Sequence, residues 1–97
     1  MKKIEKYIEH IKEELDGACY YAEKYIELKN SKPQWAKMFH DMATQELNHA
    51  QNFKDMGETV YAEISKTYMP EDTAEHWEHC LHRYADKSAK IKVMLSM

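Results

Sequence analysis

Apolar residues recur along the first third of the chain in alternating steps of four and three, the spacing that places side chains on one face of a helix. This seam consists of Ile4, Ile8, Ile11, Leu15, Ala18, Ala22 and Tyr25. It predicts a first helix over about residues 3–29. A neighbouring stripe of the same spacing consists of Tyr7, Ile11, Glu14, Ala18, Tyr21, Tyr25 and Leu28. One position of this second stripe, Glu14, is therefore a carboxylate.

A second helix is predicted to begin at about residue 33, because Asn30-Ser31-Lys32-Pro33 offers a turn, an N-cap and a proline suited to the first helical turn. Its seam consists of Trp35, Phe39, Met42, Glu46, His49, Phe53 and Met56. The helix therefore covers about residues 33–56. Beyond Gly57 the pattern either continues through Val60 and Ile64 to about residue 67 or restarts as a short helix.

Pro70 ends this segment, and Asp72-Thr73-Ala74-Glu75 has the form of a capping box that opens a third helix over about residues 73–96. The short reversal before Pro33 predicts that the first two helices are antiparallel neighbours. Neither an internal repeat nor a linker divides the sequence. The predicted fold is all-α, a single domain over residues 1–97 made of an antiparallel helical hairpin and a C-terminal helix.

Composition and charge narrow the class of partner. A chain of 97 residues buries a modest fraction of its surface, so assembly into oligomers is expected. The net charge is −3, and basic residues are not clustered with aromatic ones, which argues against a nucleic-acid partner. An apolar run of about 18 residues, as a membrane span requires, is missing. Two isolated cysteines, Cys19 and Cys80, are typical of a reducing compartment, so a cytoplasmic location is expected.

The strongest chemical signal is Glu46-Leu47-Asn48-His49, a Glu-x-x-His that projects a carboxylate and an imidazole from one face of the second helix. Both side chains occupy seam positions where Phe or Leu would normally lie. Burying a charged group costs several kcal/mol unless a cation, a hydrogen-bond network or water compensates it. The pattern therefore favours a bound metal ion, and the alternative is a buried Glu and His bonded to Tyr21 or Tyr25.

Glu14 lies 16 residues before Asn30 and Glu46 lies 16 residues after it, so a hairpin places both carboxylates at about the same height. Ferritin-like di-iron bundles use one Glu from each of two helices and a Glu-x-x-His from each of two others. This chain supplies half of those ligands. A homodimer with a two-fold axis through the site would supply Glu14, Glu46 and His49 twice and complete a four-helix di-iron bundle.

Four segments together resemble the encapsulated ferritin-like proteins of bacteria, over about residues 11–69. They are Glu13-Glu14-Leu15-Asp16, Tyr20-Tyr21, Glu46-Leu47-Asn48-His49-Ala50 and Lys66-Thr67-Tyr68-Met69. The resemblance implies a ferroxidase centre shared by a homodimer, dimers assembled into a ring, and oxidised iron deposited in a surrounding encapsulin shell.

Carried over to this sequence, the resemblance makes Glu14, Glu46 and His49 the ferroxidase ligands. It implies that Glu13 and Asp16 guide incoming iron and that Tyr21 is a neighbour of the ligands. Two features depart from the family. Asp16 is shorter than the usual Glu, and residues 91–97 lack the glycine-containing apolar peptide that docks such proteins in a shell. Encapsulation is therefore not implied, and the expected location is the cytoplasm or an encapsulin-type compartment.

Other residues admit a functional and a structural interpretation. A stripe of residues on the third helix suggests an accessory metal site. The alternative is that this stripe is a solvated or subunit-facing surface. The stripe consists of Glu75, His79, His82 and Asp86. Gly17 either marks a dimer contact or is merely tolerated in the helix. His10 and His40 fall outside the seams and are expected to be exposed.

Together these patterns predict a ferroxidase that binds two iron ions per dimer interface and oxidises Fe(II) with dioxygen for iron storage or detoxification. Carboxylates with one imidazole per metal suit iron or manganese, and Mn or Zn are candidate substitutes. One alternative is a protein that binds Fe, Mn or Zn without turnover. The other is a metal-free structural helical oligomer.

Overall fold

The structure, a computed structural model, describes residues 2–97 as three helices. Helix α1 spans Lys2–Leu28, α2 spans Pro33–Ser65 and α3 spans Glu71–Leu95. No strand occurs among residues 2–97, which confirms the prediction of an all-α fold. The helices lie along one another in a rod whose Cα atoms extend over 55 × 16 × 16 Å.

The hairpin of α1 and α2 is packed over small side chains. The backbone N–H groups of Ser31 and Lys32 both donate to the carbonyl oxygen of Leu28, at 3.2 and 2.8 Å, and these bonds close α1 before Pro33 opens α2. On α2, a column of buried residues spaced by seven faces α1. It consists of Ala36, Ala43, Ala50 and Gly57. Because these positions carry at most a methyl group, the two helices can approach closely along the whole hairpin.

Gly57 does not break α2, which runs on to Ser65. Of the two sequence alternatives, continuation of the helix is therefore the correct one. A Cβ built on Gly57 would lie 2.5 Å from Cη2 of Trp77 and 3.3 Å from Cβ of Tyr7. The missing side chain makes room for a tryptophan of α3 where α1, α2 and α3 meet.

The start of α3 differs from the predicted capping box. The helix begins at Glu71 with Pro70 as its N-cap residue, so Thr73 and Glu75 lie inside it. The backbone N–H of Thr73 donates to the carbonyl oxygen of Pro70 at 3.1 Å. Pro70 lacks an N–H and has an extended backbone, φ −58° and ψ 143°, so the helix starts directly after it. The expected side-chain cap before α2 is also not formed, because the residue at the N-cap position is Lys32 and its side chain makes no capping hydrogen bond.

Helix α3 packs mainly on α1 and meets α2 along one further column of residues spaced by seven, which consists of His40, Leu47, Lys54 and Tyr61. Nε2 of His40 lies 2.9 Å from the carbonyl oxygen of Leu95. At the other end, the Tyr61 ring stacks on Trp77 with 6.0 Å between centroids. The third helix is therefore seated on one side of the hairpin and leaves the opposite side of α2 uncovered.

Replacing Gly57 with alanine should destabilise the fold. Overpacking against the rigid Trp77 ring costs about 1–3 kcal/mol, and the better helix propensity of alanine returns at most about 1 kcal/mol. We expect Gly57→Ala to lower the free energy of unfolding by about 1–2 kcal/mol in urea titrations followed by circular dichroism. In a Trp77→Leu background the same change should be neutral or stabilising. An equal loss in both backgrounds would contradict this account.

Candidate metal centre

Three potential metal ligands converge between α1 and α2. Nδ1 of His49 lies 3.5 Å from Oε2 of Glu14 and 3.8 Å from Oε1 of Glu46. One ligand atom from each of the three side chains fits within 4.8 Å of the others. Helix α1 supplies one carboxylate, and α2 supplies the other carboxylate and the imidazole. The hairpin thus brings together the three residues that the sequence singled out.

Aromatic pairs bracket this cluster on both sides along the helices. Glu46 lies seven residues from Phe39 and seven from Phe53, in one column of α2. The Phe39 ring stacks on Tyr21 of α1 with 6.0 Å between centroids. The Phe53 ring stacks on His10 of α1 with 4.6 Å between centroids. Each pair bridges the two helices about 10 Å along α2 from Glu46, one on either side of it.

One oxygen of the cluster lacks a donor. Oε2 of Glu14 is buried and has no hydrogen-bond partner, so neither Tyr21 nor Tyr25 donates to it. The Glu14 side chain is 22% exposed, whereas His49 is 54% exposed and opens the cluster to the surface. A buried carboxylate oxygen without a donor is costly, and a cation would satisfy it. Two carboxylates and an imidazole are a donor set that suits Fe(II) or Mn(II). The residues therefore fit a metal ion.

The two carboxylates also perturb each other. A hydrogen bond with Glu14 raises the pKa of Glu46 from 4.5 to about 7, with burial and the neighbouring negative charge adding to the effect and His49 opposing it. Such a bond needs a proton held between the two carboxyl groups, because two ionised carboxylates only accept. The metal-free pair therefore holds a proton near neutral pH, and a bound cation would replace it.

The residues predicted to guide incoming iron lie apart from the cluster. Glu13 is exposed on α1. Oδ1 of Asp16 lies 2.7 Å from Nζ of Lys87, so its side chain is turned toward α3. Tyr21 lies one heptad beyond Glu14 and packs against Phe39 and Tyr20. The roles assigned to these three residues stay predictions.

The residues of the stripe predicted as an accessory site are all exposed on α3. His79 lines a cavity of about 300 Å³ between α1 and α3, together with Glu9 and Cys80, whereas His82 does not line it. Within residues 2–97, Glu14, Glu46 and His49 form the group of three His, Cys, Asp or Glu side chains whose ligand atoms lie close enough to hold a metal ion. Glu75, His79 and His82 are not brought together in this way, and the accessory site stays a prediction.

The expectation that His10 and His40 are exposed is wrong, since both are half-buried. The centroids of the His40 and Tyr25 rings lie 4.9 Å apart, and Nε2 of His40 contacts the carbonyl oxygen of Leu95 at the end of α3. His10 stacks on Phe53 beside the cluster. Helical spacing could have indicated this second contact, because His10 lies four residues before Glu14 and Phe53 lies four residues after His49.

The fold and the cluster define a helical hairpin that carries a Glu on its first helix and a Glu-x-x-His on its second. The family model of rubrerythrin matches residues 9–89, and the chain belongs to the rubrerythrin family. This places it in the ferritin-like di-iron carboxylate superfamily, and rubrerythrins typically bind iron. The narrower resemblance to encapsulated ferritin-like proteins stays a prediction.

No curated protein and no solved structure is a significant match to the chain. Among residues 2–97, no helix has the length and apolar character that crossing a membrane requires.

The raised pKa of Glu46 predicts a pH dependence of stability in the metal-free protein. The folded state keeps a proton up to about pH 7, whereas an unperturbed Glu releases it near 4.5. Stability from this group should therefore be highest below pH 4.5, fall as the pH rises to about 7 and then level off. Thermal midpoints measured against pH with a chelator present should show this decline.

Glu46→Gln should remove that part of the pH profile, because the amide does not titrate. Glu63→Gln, at an exposed position of α2, serves as the control and should keep the wild-type profile. Identical profiles for wild type and Glu46→Gln would contradict the assignment.

Proposed function

We propose that two copies of this chain pair across the open side of their hairpins and form a di-iron site that oxidises Fe(II) with dioxygen. The observation that carries the proposal is the convergence of Glu14, Glu46 and His49 at a half-buried position of the hairpin. Membership of the rubrerythrin family supports iron as the metal.

The number of ligands supports pairing. One chain contributes two carboxylates and one imidazole at the cluster, which is half of the set used by ferritin-like di-iron proteins. A two-fold axis beside His49 would bring in the same three side chains from a second copy. Each iron would then be held by one imidazole together with carboxylates of the two chains.

The surface around His49 supports the same arrangement. A column on α2 with residues spaced by seven begins with Trp35, Met42, His49 and Met56 and ends with Glu63. Trp35 is 55% exposed and Met56 is 45% exposed, although both are large apolar side chains. Exposed apolar residues in a row are typical of a surface that another protein covers. Helix α3 packs mainly on α1 and leaves this column exposed.

In this proposal the Fe(II) ions are the substrate. Each of two Fe(II) ions gives up one electron, and dioxygen takes up both electrons with two protons to form hydrogen peroxide. Glu14 and Glu46 stabilise the higher charge of Fe(III) through their oxygens, and His49 orients the metal through its ring nitrogen. The ferric product would leave for storage.

Glu46→Ala and His49→Ala should each abolish rapid Fe(II) oxidation, since each removes a ligand. The measurement is the rise in ferric absorbance after Fe(II) is added in air. Wild type should exceed buffer alone, and both variants should match buffer. Asp55→Ala removes an exposed carboxylate of the same helix outside the column around His49 and should keep the wild-type rate.

Two results would count against the proposal. Equal rates for wild type and both ligand variants would exclude a ferroxidase at this cluster. Tight binding of Fe(II), Mn(II) or Zn(II) by wild type without any oxidation above buffer would instead favour a metal-binding protein without turnover.

Met56→Lys should prevent pairing and also abolish oxidation. The residue lies seven positions from His49, about 10 Å along the helix, so the lysine does not touch the ligands of its own chain. A charge buried at the apolar contact would oppose dimer formation. Sedimentation measurements with and without Fe(II) should show a dimer for wild type and a monomer for the variant.

Val93→Lys is the matched control, because Val93 is 61% exposed on α3 and outside the open column. It should leave both pairing and oxidation unchanged. A monomeric wild type that oxidises Fe(II) at full rate would contradict the shared site.

A further inference from the structure

Gly17 lies on α1 one turn after Glu14 and faces the cluster. A Cβ built on it would lie 2.9 Å from Oε2 of Glu46, 3.6 Å from Cδ and 3.8 Å from Cγ. All three of the nearest atoms therefore belong to one side chain, which reaches across from α2. The carboxyl group of Glu46 occupies the space that any other residue at position 17 would fill.

We propose that Gly17 is a positioning residue for metal binding, because its missing side chain allows the Glu46 carboxylate to lie against α1 beside Glu14. The inference rests on the proposed function, in which Glu46 is a ligand. It assigns Gly17 a role through Glu46 and no contact with the metal itself.

The backbone does not require glycine at this position. Gly17 has no positive φ, and it lies in the interior of α1, where glycine costs about 1 kcal/mol relative to alanine. Space is therefore the property that glycine supplies here. An alanine would improve the helix and displace Glu46, whose carboxylate is the far end of a flexible side chain.

The other glycine of the chain provides a contrast. At Gly57 the added Cβ would meet the rigid Trp77 ring at 2.5 Å, so the packing of α3 would have to change. At Gly17 only a side-chain terminus has to move. Alanine at position 17 should therefore change metal binding, whereas alanine at position 57 should change stability.

The test measures Co(II) affinity and the Co(II) absorption spectrum, together with the thermal midpoint of the metal-free protein. Gly17→Ala should weaken Co(II) binding about tenfold or more and alter the spectrum, while the metal-free midpoint stays equal or rises. Gly57→Ala should lower the midpoint and leave Co(II) affinity unchanged at temperatures where it is folded. Wild-type affinity and spectrum in Gly17→Ala would overturn the inference, as would a midpoint lowered as far as in Gly57→Ala.

A double-mutant cycle tests whether Gly17 acts through Glu46. In a Glu46→Ala background the clash is gone, so Gly17→Ala should cause no further loss of Co(II) affinity. An additional loss of the same size as in wild type would overturn the inference. If wild type and Glu46→Ala bind Co(II) equally, the proposed function itself fails, and the role of Gly17 fails with it.

Discussion

The carboxyl groups of Glu14 and Glu46 are held side by side in a half-buried position, and the properties of the candidate metal site depend on this contact. A hydrogen bond between the two carboxyl groups is the main reason that the pKa of Glu46 rises to about 7, and burial and the negative charge of Glu14 add to the effect. The same pair leaves Oε2 of Glu14 without a donor. A divalent cation resolves both problems, since it neutralises the charge and coordinates the free oxygen.

Close packing of the hairpin enforces that contact. Ala43 and Ala50 lie three residues before and four after Glu46, both fully buried between the helices. Larger side chains there would move α2 away from α1 and separate the carboxylates. The heptad spacing of the small residues keeps the interface on one face over the length of α2, so a local pair of ligands is positioned by packing along the whole hairpin.

The sequence was sufficient to predict the hairpin and the three converging side chains, because periodicity and the equal distances from Asn30 depend only on helix geometry. The sequence was insufficient to predict the surroundings of Gly57 and His40. The alternatives for Gly57 could be separated only by the position of Trp77, which comes from another helix. The half-buried position of His40 likewise depends on another helix, because its side chain meets the end of α3. The sequence pattern placed the start of α3 incorrectly, because the helix begins directly after Pro70 and not at the capping pattern.

Four of the seven columns of residues along α2 have different surroundings. One column packs on α1, a second contains Glu46 with Phe39 and Phe53, a third meets α3, and the column around His49 is exposed. His49 belongs both to the candidate metal cluster and to the exposed column, so a partner seated on that column would touch the cluster. In the proposed dimer, binding and pairing would therefore strengthen each other: metal would raise the fraction paired, and pairing would raise the affinity for metal.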